Sequence, residues 1–124
     1  MVVSREARVQ EFISCARPPS FEAVWNCFGE ECKELADAAT TLYMAEEGSE
    51  DYNEARKNFV KEWADAQYTL SQIAVFYGID GDEAFKRVAD NNMTKVENGS
   101  VRYRPSDGKV LKPDGYVVAD MSNL

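Results

Sequence analysis

The chain has 124 residues, 44% hydrophobic and 29% charged, with a formal net charge of −8 and no histidine. That length and balance fit one ordered domain spanning residues 1–124 and argue against disorder. The acidic balance excludes nucleic-acid binding as the main activity, and the missing histidine excludes triad chemistry and most zinc or haem sites.

No apolar run approaches the ~18 residues of a membrane span, and no signal-peptide pattern opens the chain, so a cytoplasmic protein without a membrane partner is expected. The three cysteines (Cys15, Cys27, Cys32) form no zinc-like spacing and read as reduced, buried packing thiols. The charge is uneven. Residues 1–90 hold nine Lys/Arg against eighteen Asp/Glu, and residues 91–124 hold five against four. An acidic body is thus followed by a slightly basic tail.

Ser4 can cap a first helix over roughly residues 5–16, in which Val9, Phe12, Ile13 and Ala16 keep helical spacing. Pro18-Pro19 ends it. Ser20 opens a long second helix to about Glu47, closed by Gly48. A third runs from about Asp51 to Tyr77 and stops at Gly78. Asp80-Gly81-Asp82-Glu83 looks like a capping box opening a fourth helix to about Lys95. From Glu97 onward, the turn dipeptides Asn98-Gly99, Asp107-Gly108 and Asp114-Gly115 predict an extended tail with a hairpin-like turn at Asp107-Gly108. The expected fold is all-α: a helical-hairpin bundle of four main helices (body 1–96) with an extended C-terminal tail (97–124) that lies over the body or over a partner subunit.

Two acid pairs stand out. Glu31 and Glu34 lie in the second helix, and Glu62 and Asp65 lie in the third. At about 100° per residue, Phe21, Val24, Leu35, Ala39 and Leu42 fall within about 40° of Phe28. Trp63, Ala66, Leu70, Ile73 and Tyr77 cluster in the same way around Phe59. On both wheels the acids lie near −60° and −120°, flanking the apolar stripe on the same rotational side. If the helices pack antiparallel about Gly48, the two acidic edges meet. Glu34 and Glu62 each lie 14 residues from that glycine, and Glu31 and Asp65 each lie 17 (48 − 34 and 62 − 48; 48 − 31 and 65 − 48). Four converging carboxylates repel unless a cation sits among them, and an all-oxygen set suits Mg²⁺ or Mn²⁺. The alternative is two ordinary solvated acidic faces. Glu30 falls opposite the stripe and reads as solvent-facing.

Other polar and aromatic positions also have two readings. Trp25, at the stripe's edge, is either core or a platform for a ligand's ring. Asn92 and Lys95 share one helix face, as a plain polar helix end would also give.

Glu30-Glu31-x-x-Glu34 followed by Glu62-x-x-Asp65 resembles the EExxE…ExxD signature of the MazG-like all-α nucleoside triphosphate pyrophosphohydrolases. Phe12 in its amphipathic helix, Asn92-Met93-Thr94-Lys95, and Asp107-Gly108-Lys109-Val110-Leu111-Lys112-Pro113 with Tyr116 resemble further pieces of the phosphoribosyl-ATP-pyrophosphohydrolase-like branch, which includes phage-encoded members. The resemblance implies that Glu31, Glu34, Glu62 and Asp65 are catalytic Mg²⁺ ligands, with Mn²⁺ able to substitute. It places Asn92 and Lys95 on phosphates, leaves Lys109 and Lys112 either on phosphate or tying down the tail, and makes Trp25 and Phe12 candidates for the base pocket. The implied assembly is a homodimer or homotetramer.

The implied activity is hydrolysis of a (d)NTP, with (d)GTP the first choice, to the monophosphate and pyrophosphate in nucleotide-pool control. Two alternatives stand beside it: phosphoribosyl-ATP pyrophosphohydrolase, and a non-catalytic helical metal-binding module.

Overall fold

The computed structural model describes residues 3–124. Its helices are α1 (Arg5–Ser14), α2 (Phe21–Met44), α3 (Glu50–Tyr77) and α4 (Gly81–Met93). Beyond them the described residues form only the isolated bridges Glu97–Ser100 and Tyr103–Val110, so the fold is all-α.

Each helix begins on a side-chain oxygen that takes up an otherwise orphaned amide. Ser4, Ser20 and Ser49 accept from the N–H groups of Ala7, Ala23 and Tyr52, and Asp80 accepts from Glu83, all at 3.1 Å. At the other end of α3, Gly78 takes the left-handed conformation (φ 66°, ψ 32°), where a side chain would be strained.

Two ends differ from the sequence expectation. Helix α2 stops at Met44, with Ala45 extended (φ −78°, ψ 144°), and Gly48 sits in the reversing turn instead of capping the helix. The turn is held by Ser49, whose N–H and Oγ both donate to the Glu46 carbonyl. Helix α4 stops at Met93 because the Thr94 hydroxyl donates back to the Asn91 carbonyl and tightens the last turn.

The chain divides into two compact units, one up to Gly78 and one from Ile79 onward. In the first, α3 packs against both α2 and α1. Helices α2 and α3 are antiparallel. They are joined by a short turn at residues 45–49, their acids meet midway, and at their far ends the Trp25 indole N–H donates to the Tyr77 hydroxyl at 3.0 Å.

The buried stripe is turned from where apolar spacing places it. Val24 and Ala38 of α2 are buried, with Phe28, Glu31, Leu35 and Leu42 half-buried. On α3, Ala55, Glu62, Ala66 and Thr69 are buried. At about 100° per residue, Glu31 and Glu62 lie near the centre of these stripes, not beside them. Phe21, Ala39, Trp63, Leu70 and Tyr77, expected in the stripe, fall to its outer side and are exposed. The physical reason is that small residues (Ala38, Ala55, Ala66) occupy the contact line and displace the bulky side chains to its edge. The cysteine expectation is also corrected. All three are free, but Cys15 and Cys32 are exposed, and only Cys27 is partly covered.

In the second unit the tail lies along α4. Arg87 Nη1 donates to the carbonyls of Asp120 and Ser122, both at 2.9 Å. Asn91 donates to the Val117 carbonyl at 2.7 Å and accepts from the Tyr116 hydroxyl at 2.5 Å. The Asp107-Gly108 turn forms as its sequence predicts. Arg104 pairs with Asp107, and the Arg104 N–H donates to the Lys109 carbonyl at 2.7 Å.

Candidate metal centre

The stripe rotation makes Glu62 the most buried carboxylate among the described residues, at 8% exposure, and turns Glu31 of the facing helix toward it, beside Asp65 of its own helix. Glu31, Glu62 and Asp65 each offer an oxygen, all within 4.8 Å of one another. Glu34, on the outer side of α2, is exposed and stands outside this group of three.

Two of the three carry a buried oxygen without a partner. Glu31 Oε2 and Glu62 Oε2 are buried and accept no hydrogen bond. Burying a carboxylate oxygen without a hydrogen-bond donor is costly. Glu31 is accordingly pushed above the ordinary carboxylate range, first by burial, then by the charges of Glu34, Asp65 and Glu62. The Cys27 thiol is raised as well, chiefly by burial and then by Glu31, Glu30 and Glu34. Three carboxylates with two unsatisfied oxygens fit a hard divalent ion such as Mg²⁺ or Mn²⁺.

One participant was not anticipated from the sequence. Lys61 Nζ lies 2.8 Å from Asp65 Oδ2 and 3.5 Å from Glu62 Oε1. The signal was available: a lysine four residues before Asp65 on one helix faces it.

The remaining predicted site residues fall elsewhere. Trp25 is 40% exposed, packed against Phe21 and Phe28 and bonded to Tyr77. Phe12 is exposed and lines a groove between α1 and α3. Asn92 and Lys95 belong to the second unit, where Lys95 Nζ donates to Asn92 Oδ1 at 3.0 Å. Lys95 and Lys112 both stand over the Tyr116 ring, at 5.6 and 5.3 Å from its centroid. The Lys109 N–H donates to Asp107, while its side chain is exposed.

An all-α helical hairpin that converges carboxylates from facing helices is the architecture of the MazG-like pyrophosphohydrolase superfamily. Within it, the phosphoribosyl-ATP pyrophosphohydrolase family model matches residues 7–92, and the chain belongs to that family. No individual curated protein matches it. Membership makes the chain a pyrophosphohydrolase acting on nucleotide-like substrates. Among the described residues no helix is long and apolar enough to cross a membrane.

Proposed function

We propose that this chain hydrolyses the α–β anhydride of a nucleoside triphosphate, releasing the monophosphate and pyrophosphate, with (d)GTP the first substrate to try. The observation that carries the reading is the convergence of Glu31, Glu62 and Asp65 with two buried, unsatisfied oxygens. These three would hold a divalent ion, Mg²⁺ in the first instance, with Glu34 close enough to add negative potential. A bound ion neutralises phosphate charge and makes a water easier to ionise. The chain's own residues do the positioning. Glu31 and Glu62 fix the site because their helices are packed there, and Asp65 completes it once Lys61 lets go. The ammonium of Lys61 is then free to meet a phosphate oxygen. The family resemblance assigns phosphate contacts to Asn92, Lys95 and Lys109 of the second unit, and Trp25 of α2, 40% exposed, offers a partly open ring for a base.

We also assign a homodimer or homotetramer. Tyr43 and Met44, beside the hairpin turn, are 87% and 76% exposed, which suits a surface covered by a second copy.

A second reading is favoured by the family match itself. The substrate would be phosphoribosyl-ATP, cleaved at the analogous bond. A nucleotide panel with Mg²⁺ separates the two. Turnover of simple triphosphates with pyrophosphate as first product supports the first reading, and turnover of phosphoribosyl-ATP alone supports the second. Orthophosphate as first product refutes both, and Mn²⁺ binding without turnover leaves a non-catalytic module.

A further inference from the structure

Helix α1 rests on α3 so that a groove of about 690 Å³ opens between them, within the ~300–1,000 Å³ typical of small-molecule sites. On α3 it is lined by Trp63, Gln67, Tyr68 and Ser71, which lie about 100–240° around the helix from Glu62. It therefore faces away from the acid cluster on the same helix. The rings of Phe12, Trp63 and Tyr68 are all substantially exposed in it, at 61%, 49% and 40%.

Two features make this more than an apolar crease. Ser71 is 2% exposed, and its buried hydroxyl has no hydrogen-bond partner. A serine inside a helix ordinarily bonds back to its own preceding turn, and Ser71, one of the residues lining the groove, does not. The second feature is charge. Arg5 and Arg8, from the first turns of α1, line the groove against a single carboxylate, Glu11, in a chain of net charge −8. Among the described residues neither arginine forms an ion pair. Both also sit where the exposed amides of a helix N-terminus favour an anion.

We propose that this groove is a second nucleotide site, separate from the acid cluster, taking a nucleoside monophosphate. The base lies among Phe12, Trp63 and Tyr68, with a polar edge on the Ser71 hydroxyl. The phosphate is held by Arg5 and Arg8, whose forked guanidinium groups suit it. The placement allows the product class of the enzyme, or a related nucleotide, to bind without competing for the metal.

The test is titration calorimetry of the full chain with AMP in excess EDTA. AMP binding is expected without metal, weakened about tenfold or more by Arg8→Glu and severalfold by Ser71→Ala, and altered less than about twofold by Asp65→Asn. Protection of Cys15, an exposed groove thiol, from alkylation by AMP gives an independent readout. The proposal is overturned if AMP fails to bind without metal, or if binding is lost in Asp65→Asn but kept in Arg8→Glu, which would put the nucleotide at the acids. It is also overturned if sedimentation shows a second copy covering the groove, with Arg8→Glu dissociating the assembly and AMP having no effect on Cys15. Hydrolysis at the acid cluster is assayed separately with Mg²⁺, so failure of the groove and failure of that reading are distinguishable.

Discussion

Lys61 Nζ is held 2.8 Å from Asp65 Oδ2, so one carboxylate of the acid cluster is already paired with an ammonium of its own helix. The hydrogen bond to Asp65 is the largest cause of the raised affinity of Lys61 for its proton. A divalent ion must compete with that ammonium for Asp65. Lys61→Met should therefore bind Mn²⁺ roughly threefold more tightly by calorimetry, a modest gain because the pair is solvent-screened. If Lys61 also meets phosphate, kcat should fall in the same variant. Weaker Mn²⁺ binding would instead mean that Lys61 holds Asp65 in its ligating position.

Glu31 adds a pH response of its own to the metal-free protein. Its carboxyl is raised in the folded state by burial and by Glu34, Asp65 and Glu62. Between the ordinary carboxylate value and the raised one, the native state holds more protons than the unfolded state, so stability falls as pH rises through that window. Below the window the penalty is absent. In EDTA, the thermal midpoint should drop across the window in the wild type and flatten in Glu31→Gln. Adding Mn²⁺ above the window should restore the wild type more than the variant. A wild-type midpoint that rises through the same window would contradict the assignment.

Helix ends should show in the stability of the first unit. Ser49→Ala removes the acceptor for the Tyr52 N–H, and Gly78→Ala puts a Cβ at φ 66°. Each should cost about 1 kcal/mol, or roughly 4–8 °C for a domain of this size. Gly29, inside α2, where an added methyl group would meet nothing within 4 Å, should behave oppositely. Gly29→Ala should raise the midpoint through helix propensity. Thermal denaturation of the three variants checks the set.

In the second unit, Tyr116 and Arg87 fasten the tail to α4. Arg87→Ala leaves the Asp120 and Ser122 carbonyls without their donor and should release the last residues. Amide exchange over 110–124 should rise several-fold, while exchange in α2 and α3 stays within about twofold. A uniform rise across both units would mean that Arg87 supports the whole chain and not the tail alone.

Much of the scaffold was legible because its signals are local. Ser4, Ser20 and Asp80 cap where their side chains imply, Gly78 stops α3, and Asp107-Gly108 turns the tail. The convergence of the acid-bearing helices was legible too, since two long amphipathic helices joined by a short turn have one way to fold back. What spacing could not fix was the rotation of each helix. Apolar spacing puts large residues such as Trp63 and Leu70 on the buried line, whereas the helices touch along Ala38, Ala55 and Ala66, which allow close approach. That rotation of some tens of degrees separates Glu31, which joins the cluster, from Glu34, which stays at the exposed edge. Spacing does not distinguish Lys61 from a solvating lysine beside acids; its distance to Asp65 does. The α1–α3 groove depends on which face of α3 receives α1, and periodicity alone does not select it.

The most direct measurement is Mn²⁺ titration calorimetry on the wild type and four single variants: Glu31→Gln, Glu62→Gln, Asp65→Asn and Glu34→Gln. Loss of about tenfold or more in affinity is expected for each of the first three, against less than about threefold for Glu34→Gln, because the carboxylate oxygens of Glu31, Glu62 and Asp65 lie within 4.8 Å of one another and Glu34 stands outside that group. Wild-type affinity in all three cluster variants, or no Mn²⁺ binding by the wild type, would contradict the metal centre and the hydrolytic chemistry assigned to it.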